Sequence, residues 1–274
     1  MREARELDKL HVVYRLPAMK QVLVRKDIIY KTVEGKDLKL DIYYPPNMPP
    51  ATCRSAVILV HGGAQEAQVE HIREDLQYVS WCRLIAASGL IAVLFQHRSD
   101  DNYRRITSVG RDVSDLFAFV QQQGTALGID PRALGIWCCS SGALYGLSAA
   151  LRGTQAYIRC LVAYYGGMTL LNHKYFHFSP EEEEIVRVYS PDYLLSCADA
   201  AKVAPLFIAR AGQDRPFLNE ILDEFVMLAC RRNVPLTLMN HPTGVHGFDI
   251  LNNDARTHEI IKATLAFLAT HLAP

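Results

Sequence analysis

The sequence has no excess of charge of either sign. Lysine plus arginine and aspartate plus glutamate both number 29, and the pI is near 7.1. Such a balance offers no basic footprint for nucleic acid and no attraction to an anionic membrane surface. Long apolar runs are missing as well. None reaches the roughly 18 residues of a membrane-spanning helix. Residues 1–20 are charged throughout and lack the apolar core of a secretory signal. There are no repeats, no low-complexity linkers and no break in composition. The cysteines number seven, an odd count, and most lie in apolar runs such as 158–165. Buried free thiols in a reducing compartment fit that pattern better than a disulfide framework. These absences lead to the expectation of a soluble cytoplasmic protein with a small, weakly charged partner, no nucleic acid and no membrane.

What is present is a large apolar content arranged in alternating units. Half of the 274 residues are hydrophobic and 21% are charged, enough for a sizeable core. Residues 22–32 and 38–43 read as two strands joined by a turn at Glu34–Gly35. The second alternates Leu38, Leu40 and Ile42 with Lys39, Asp41 and Tyr43, the pattern of a half-exposed antiparallel strand. Short apolar runs follow at 56–60, 90–95, 133–137, 158–164, 206–209 and 236–239. They barely alternate, as in strands covered on both faces. Helical stripes lie between them, such as Val109, Val113, Leu116, Phe117 and Val120, or Ile221, Leu222, Phe225, Val226 and Ala229. A hairpin followed by repeated strand–helix units predicts an α/β fold with a mostly parallel sheet and helices on both faces. Its ligand site belongs just past the C-terminal ends of the strands.

Three sets of strand ends carry candidate chemistry. His61-Gly62-Gly63-Ala64 follows the run 56–60, and its backbone amides suit an oxyanion. A plain βα turn would also use glycines there. Cys138-Cys139-Ser140-Ser141-Gly142 follows the run 133–137 and precedes a helix rich in small residues. Centred on Ser140, it matches the G-x-S-x-G elbow except that Cys138 occupies the first glycine position. Centring on Cys139 or Ser141 fits worse. Two late strand ends supply Asp214 and His246, an acid and a base in the order Ser, Asp, His. Rivals are His241 for the base and Asp249 or Asp223 for the acid. His173 and His177 have i,i+4 spacing without an acid arranged as a zinc site, and Glu181–Glu184 suits a solvated helix start. Cys139, beside the candidate nucleophile, is either a buried packing residue or a target for thiol reagents.

The segments HGGA at 61–64, QHR at 96–98, LGID at 127–130, CCSSGA at 138–143, ARAGQD at 209–214 and HPTGVHGF at 241–248 occur in a familiar order. In them the chain resembles the α/β-hydrolase superfamily, and within it small bacterial carboxylesterases close to dienelactone hydrolases and hormone-sensitive-lipase-like esterases. The resemblance runs from about residue 20 to the C-terminus. It implies Ser140 as nucleophile, Asp214 as acid, His246 as base, and the amides of Gly63, Ala64 and Ser141 as oxyanion donors, with no metal or organic cofactor. Dienelactone specificity does not carry over, because those enzymes use a cysteine nucleophile. The resemblance also implies a short cap inserted at about 167–203 of a single domain spanning 21–274, to which the segment 1–20 could contribute. The expected activity is hydrolysis of small to medium carboxylic esters through an acyl-enzyme. An amidase or peptidase, a lactone or thioester hydrolase, and a non-catalytic binding protein on the same scaffold remain as alternatives. A homodimer through an edge strand or the last helices stays open.

Overall fold

The computed structural model describes residues 9–49, 51–63, 66–153 and 155–273. Eight strands form one sheet: β1 (Leu23–Val33), β2 (Lys36–Tyr44), β3 (Arg54–Val60), β4 (Ile91–Phe95), β5 (Ile129–Cys139), β6 (Ile158–Tyr164), β7 (Leu206–Ala211) and β8 (Leu236–His241). Their spatial order is β1-β2-β4-β3-β5-β6-β7-β8. β1 and β2 are antiparallel, β2 is antiparallel to β4, and every later pairing is parallel. The turn between β1 and β2 is made by Glu34 and Gly35, both at positive φ (51° and 76°). Two left-handed residues in succession match the twist of the strands they join.

Successive residues of the central strands point to opposite faces, so each strand feeds two cores. Ile58, Val93 and Ile136 pack on one face with the helices Ile106–Gln123, Gly142–Leu151 and Pro216–Arg231. Leu59, Leu94 and Trp137 pack on the other with the helices Leu76–Ala87 and Ala255–Leu272. Near-continuous apolar strands are the consequence of that double cover.

Two strands depart from expectation. β2 is not half-exposed, because Asp41 and Tyr43 are buried along with Leu40 and Ile42. The strand lies inside the sheet between β1 and β4. Asp41 is accommodated there by an ion pair with Arg73 and by the Asp27 amide, which donates to Oδ1 at 3.0 Å. β8 is the edge strand, and Leu238 at its middle is 43% exposed. Its apolar run resembled the buried strands while lying beside a single neighbour.

The segment after β6 contains the short helices Pro180–Arg187 and Pro191–Cys197. The first starts at a capping box: Ser179 Oγ accepts from Glu182 N, and Glu182 Oε2 accepts from Ser179 N. This satisfies amides at the helix start and places Glu181–Glu183 where negative charge is favoured. Residues 9–21 run beneath the opposite face: Val12 N donates to Ser80 Oγ at 2.8 Å, and Val13 N to Asp249 O at 2.9 Å. Residues 1–8 of the segment expected beside the cap lie outside the described residues. Of the seven cysteines, Cys82, Cys138, Cys139 and Cys160 are buried free thiols, whereas Cys53, Cys197 and Cys230 are exposed. Burial therefore holds for the thiols on strands and on the helix Leu76–Ala87 only.

Candidate active site

The parallel pairings of β3, β5, β6, β7 and β8 bring their C-terminal ends to one edge of the sheet. Past β5 the chain turns sharply into the helix Gly142–Leu151 at Ser140, which has φ 52°. A left-handed backbone at a non-glycine residue costs on the order of 1–3 kcal/mol and persists only where its surroundings fix it. Here Ser140 N donates to Tyr164 O at 3.0 Å, and its carbonyl accepts from Gly167 N at 2.9 Å and Ala143 N at 3.2 Å. Gly142 is needed for close approach: a Cβ there would stand 2.4 Å from the His61 carbonyl oxygen. The elbow's other departure is accommodated across the same contact. Cys138 is fully buried, its Sγ lies 3.2 Å from Val162 O, and its Cβ faces Gly146 on the following helix. A Cβ on Gly146 would come within 3.3 Å of that of Cys138. The absent side chain has moved from the strand to the helix.

Asp214 and His246 are brought together by interlocked loops after β7 and β8. Gly212 N donates to His241 O and Gln213 N to Gly244 O, both at 2.8 Å. A Cβ on Gly212 would stand 2.5 Å from Pro242 O, so only glycine permits this approach. His246 Nδ1 lies 2.6 Å from Asp214 Oδ2, and its Nε2 lies 3.0 Å from Ser140 Oγ. The carboxylate can only accept, which places the proton on Nδ1 and leaves Nε2 to receive the serine hydroxyl proton. Asp214 Oδ1 also accepts from Arg215 N at 2.7 Å. Burial alone would raise the Asp214 pKa. The hydrogen bond and charge of His246, with the Arg215 amide, outweigh that effect and hold it below the ordinary carboxylate value.

The rival residues are engaged elsewhere. His241 is buried, with Nε2 at 3.0 Å from Thr257 Oγ1 and 3.2 Å from Asp254 Oδ1. Asp223 forms a two-pronged ion pair with Arg210 at 2.7 and 2.9 Å. Asp249 is buried and accepts from Trp81 Nε1, Tyr165 Oη and Gln77 Nε2 at 2.7, 2.6 and 3.0 Å. His173 faces Glu183 at 3.4 Å on the surface, and among the described residues no cluster of His, Cys, Asp and Glu could hold a metal ion. Cys139 packs beside the elbow with Sγ 3.6 Å from Tyr78 Oη, and burial pushes its thiol pKa up to about 12. A thiol held protonated in this way is a poor nucleophile, which favours the packing role.

Gly63 and Ser141 flank Ser140: a Cβ on Gly63 would lie 2.9 Å from Ser141 Oγ. Gly62 N is already taken up by Tyr78 Oη at 3.1 Å. Ala64 falls outside the described residues. Two cavities open from this point. One, of about 650 Å³, reaches Ser140 and His246 past Leu144, Phe176, Phe217 and Ile221. The other, of about 570 Å³, reaches the same two residues past Ile72, Tyr78, Tyr165 and Leu251. Several of these residues escaped the sequence reading. Tyr165 lays its ring against His246 at 4.6 Å between centroids, and Arg215 Nη2 lies 3.5 Å from His246 Nε2. Arg215 follows Asp214 directly, so adjacency was the available signal. Tyr78 and Tyr165 carry no motif. The wall of the larger cavity includes Asp101, Asn102 and Tyr103, three consecutive residues at positive φ (49°, 53° and 70°).

Sheet order, strained serine turn and Ser–His–Asp geometry define an α/β-hydrolase. A family profile described as BD-FAE matches residues 40–202. The chain belongs to this family, an esterase family of the α/β-hydrolase type. Comparison with curated proteins finds no match. Among solved structures, a thermophilic esterase of the Planctomycetes species Thermogutta terrifontis is similar at 20% identity and a TM-score of 0.72, covering 98% of this chain and 99% of its own. The butyrate-bound form of that enzyme gives 21% identity and a TM-score of 0.69, covering 94% and 98%. A fungal esterase study from Rhizomucor miehei provides a third, at 18% identity and a TM-score of 0.73, covering 99% of this chain and 88% of the other. At these identities the likeness is one of fold.

Proposed function

We propose that the protein is a serine carboxylesterase acting through an acyl-enzyme. The observation that carries this reading is the relay from Asp214 through His246 to Ser140, with contacts of 2.6 and 3.0 Å. Ser140 Oγ attacks the ester carbonyl while its proton passes to His246 Nε2. The carbonyl oxygen becomes an oxyanion, for which the amides of Gly63 and Ser141 are the described donors. The C–O bond to the alcohol then breaks, and the imidazolium returns its proton to the departing alkoxide. Water attacks the acyl-enzyme by the same route, releasing the acid and restoring Ser140. Asp214 orients the imidazole and favours its charged form without taking the proton.

The two cavities give the ester a place for a group on each side of the carbonyl. Their volumes fall within the range of small-molecule sites, supporting esters with small to medium groups. The butyrate held by the Thermogutta esterase agrees with that size. A panel of p-nitrophenyl esters of increasing acyl length, run beside matched anilides, tests the assignment. Ester turnover that peaks at short to medium chains and exceeds anilide turnover is expected. Faster anilide cleavage would replace the esterase by an amidase.

A further inference from the structure

The mechanism leaves a pair of buried histidines unused. His61 follows β3 and His97 follows β4, and their rings stack at 3.6 Å between centroids with planes 10° apart. His61 is fully buried and His97 is 3% exposed. His61 Nδ1 lies 2.8 Å from Gly62 O, and His97 Nδ1 lies 2.8 Å from Arg98 O. A carbonyl only accepts, so each Nδ1 carries the proton. The Nε2 of His61 is then a bare lone pair, buried and without a partner among the described residues. A proton there would be neither solvated nor paired, which keeps the ring neutral.

The bond made by His61 falls on a particular peptide. Gly62 C=O and Gly63 N–H belong to one planar unit, so fixing the carbonyl fixes the direction of the amide. The preceding peptide is held as well: Gly62 N donates to Tyr78 Oη at 3.1 Å. Glycines have no side chain to anchor them and adopt many conformations. Two in succession beside the reacting atom need external fixation. His97 supplies a wall against which the His61 ring cannot tilt, backed by Tyr145 and Phe95 at 5.9 Å.

We infer that His61, braced by His97, is a positioning residue that orients the Gly62–Gly63 peptide so that Gly63 N–H serves the oxyanion. The inference rests on the esterase reading of Ser140. It concerns an interaction that strengthens in the transition state, so it acts on kcat rather than on KM. Loss of a whole oxyanion donor costs roughly 10²–10³-fold in kcat. Misdirecting one without removing it costs part of that, on the order of tenfold to a hundredfold.

Three variants and two readouts test this. His61→Leu removes the donor to Gly62 O, and His61→Asn retains a donor nitrogen at the Nδ1 position. In His97→Ala the donor stays but the brace is lost. Expected with p-nitrophenyl butyrate is a kcat loss of about 10–100-fold in His61→Leu with KM within about twofold, most of it recovered in His61→Asn. His97→Ala should fall between them. Affinity for a trifluoromethyl ketone, which forms a charged adduct with a serine nucleophile, should drop in parallel with kcat. Unchanged kcat and ketone affinity in folded His61→Leu would overturn the inference. So would equal losses in His61→Leu and His61→Asn at equal melting temperature. Ser140→Ala separates the two layers: turnover that survives it refutes the esterase mechanism itself, whereas turnover lost there but kept in His61→Leu refutes only the positioning role.

Discussion

Two histidine–carboxylate pairs stand five residues apart at the end of the last strand. His246 meets Asp214 at 2.6 Å, and His241 meets Asp254 at 3.2 Å. Both acids are held below the ordinary carboxylate pKa against the opposing effect of burial, Asp214 by His246 and Asp254 by the Thr257 amide and His241. The pairs differ in what lies on the far side of the ring and in how it is exposed. The His246 side chain is 30% exposed, with Nδ1 on the acid and Nε2 on Ser140. The His241 side chain is 1% exposed, and both of its hydrogen-bond contacts converge on Nε2, from Asp254 and Thr257. Asp254 also caps the C-terminal helix by accepting from Thr257 N at 2.8 Å. A carboxylate beside a histidine ring is therefore common to both pairs. What sets His246 apart is its second nitrogen, which faces Ser140 Oγ at 3.0 Å from a partly exposed ring.

The comparison breaks most readily at the histidines. His246→Ala is expected to lower kcat by at least about 10³-fold at near-native stability. His241→Ala is expected to leave the chemistry largely intact and to lower the melting temperature, because Thr257 and Asp254 lose a buried partner. Comparable kcat losses in two folded variants would erase the distinction. At the acids, Asp214→Asn should cost on the order of 10⁴-fold in kcat by removing the acceptor that fixes the Nδ1 proton. Asp254→Asn should cost no more than about 1 kcal/mol of stability, since asparagine also caps helices. Steady-state kinetics paired with urea unfolding reads both.

Acid sharpens the contrast with a smaller effect. A carboxylate with a depressed folded pKa stabilises the native state above its unfolded value of about 3.8, and that contribution disappears as pH falls through the folded value. The stability gap between wild type and Asp214→Asn should accordingly narrow as pH falls below 3.8. A gap that stays constant down to pH 2 would show that the His246–Asp214 bond adds nothing to folding. Burial likewise lowers the pKa values of His61 and His97, most strongly for His61. Around His97, Asp100 and Asp112 oppose the shift, while Tyr78 and Tyr145 border the stack. Because the unfolded chain takes up protons there first, wild-type stability should already begin to decline as pH falls below 6.5. His97→Phe should flatten part of that decline.

Much of this was legible in the sequence because strand ends bear both apolar runs and chemistry. The runs at 56–60, 133–137 and 206–209 placed β3, β5 and β7, and the residues directly after them include Gly63, Ser140 and Asp214. The choice of His246 over His241 was harder, because both lie near the same strand end and only the path of the loop separates them. Cys138 looked like a defect in the elbow motif. Its compensation at Gly146 was invisible without the packing of helix on strand, since the two positions lie on different elements. β8 was misread as doubly covered because its edge position leaves no mark on the short run 236–239. The QHR motif was noticed, yet nothing in it announced that His97 stacks on His61, a contact across 36 residues of chain.

The central claim is that Ser140, and no neighbouring hydroxyl or thiol, is the nucleophile. Peptide mapping by mass spectrometry after incubation with a fluorophosphonate tests it most directly. The account predicts one adduct per chain, located on Ser140, and no labelling of folded Ser140→Ala. An adduct on Ser141 or Cys139, or a folded wild-type protein that takes up no label, would contradict it.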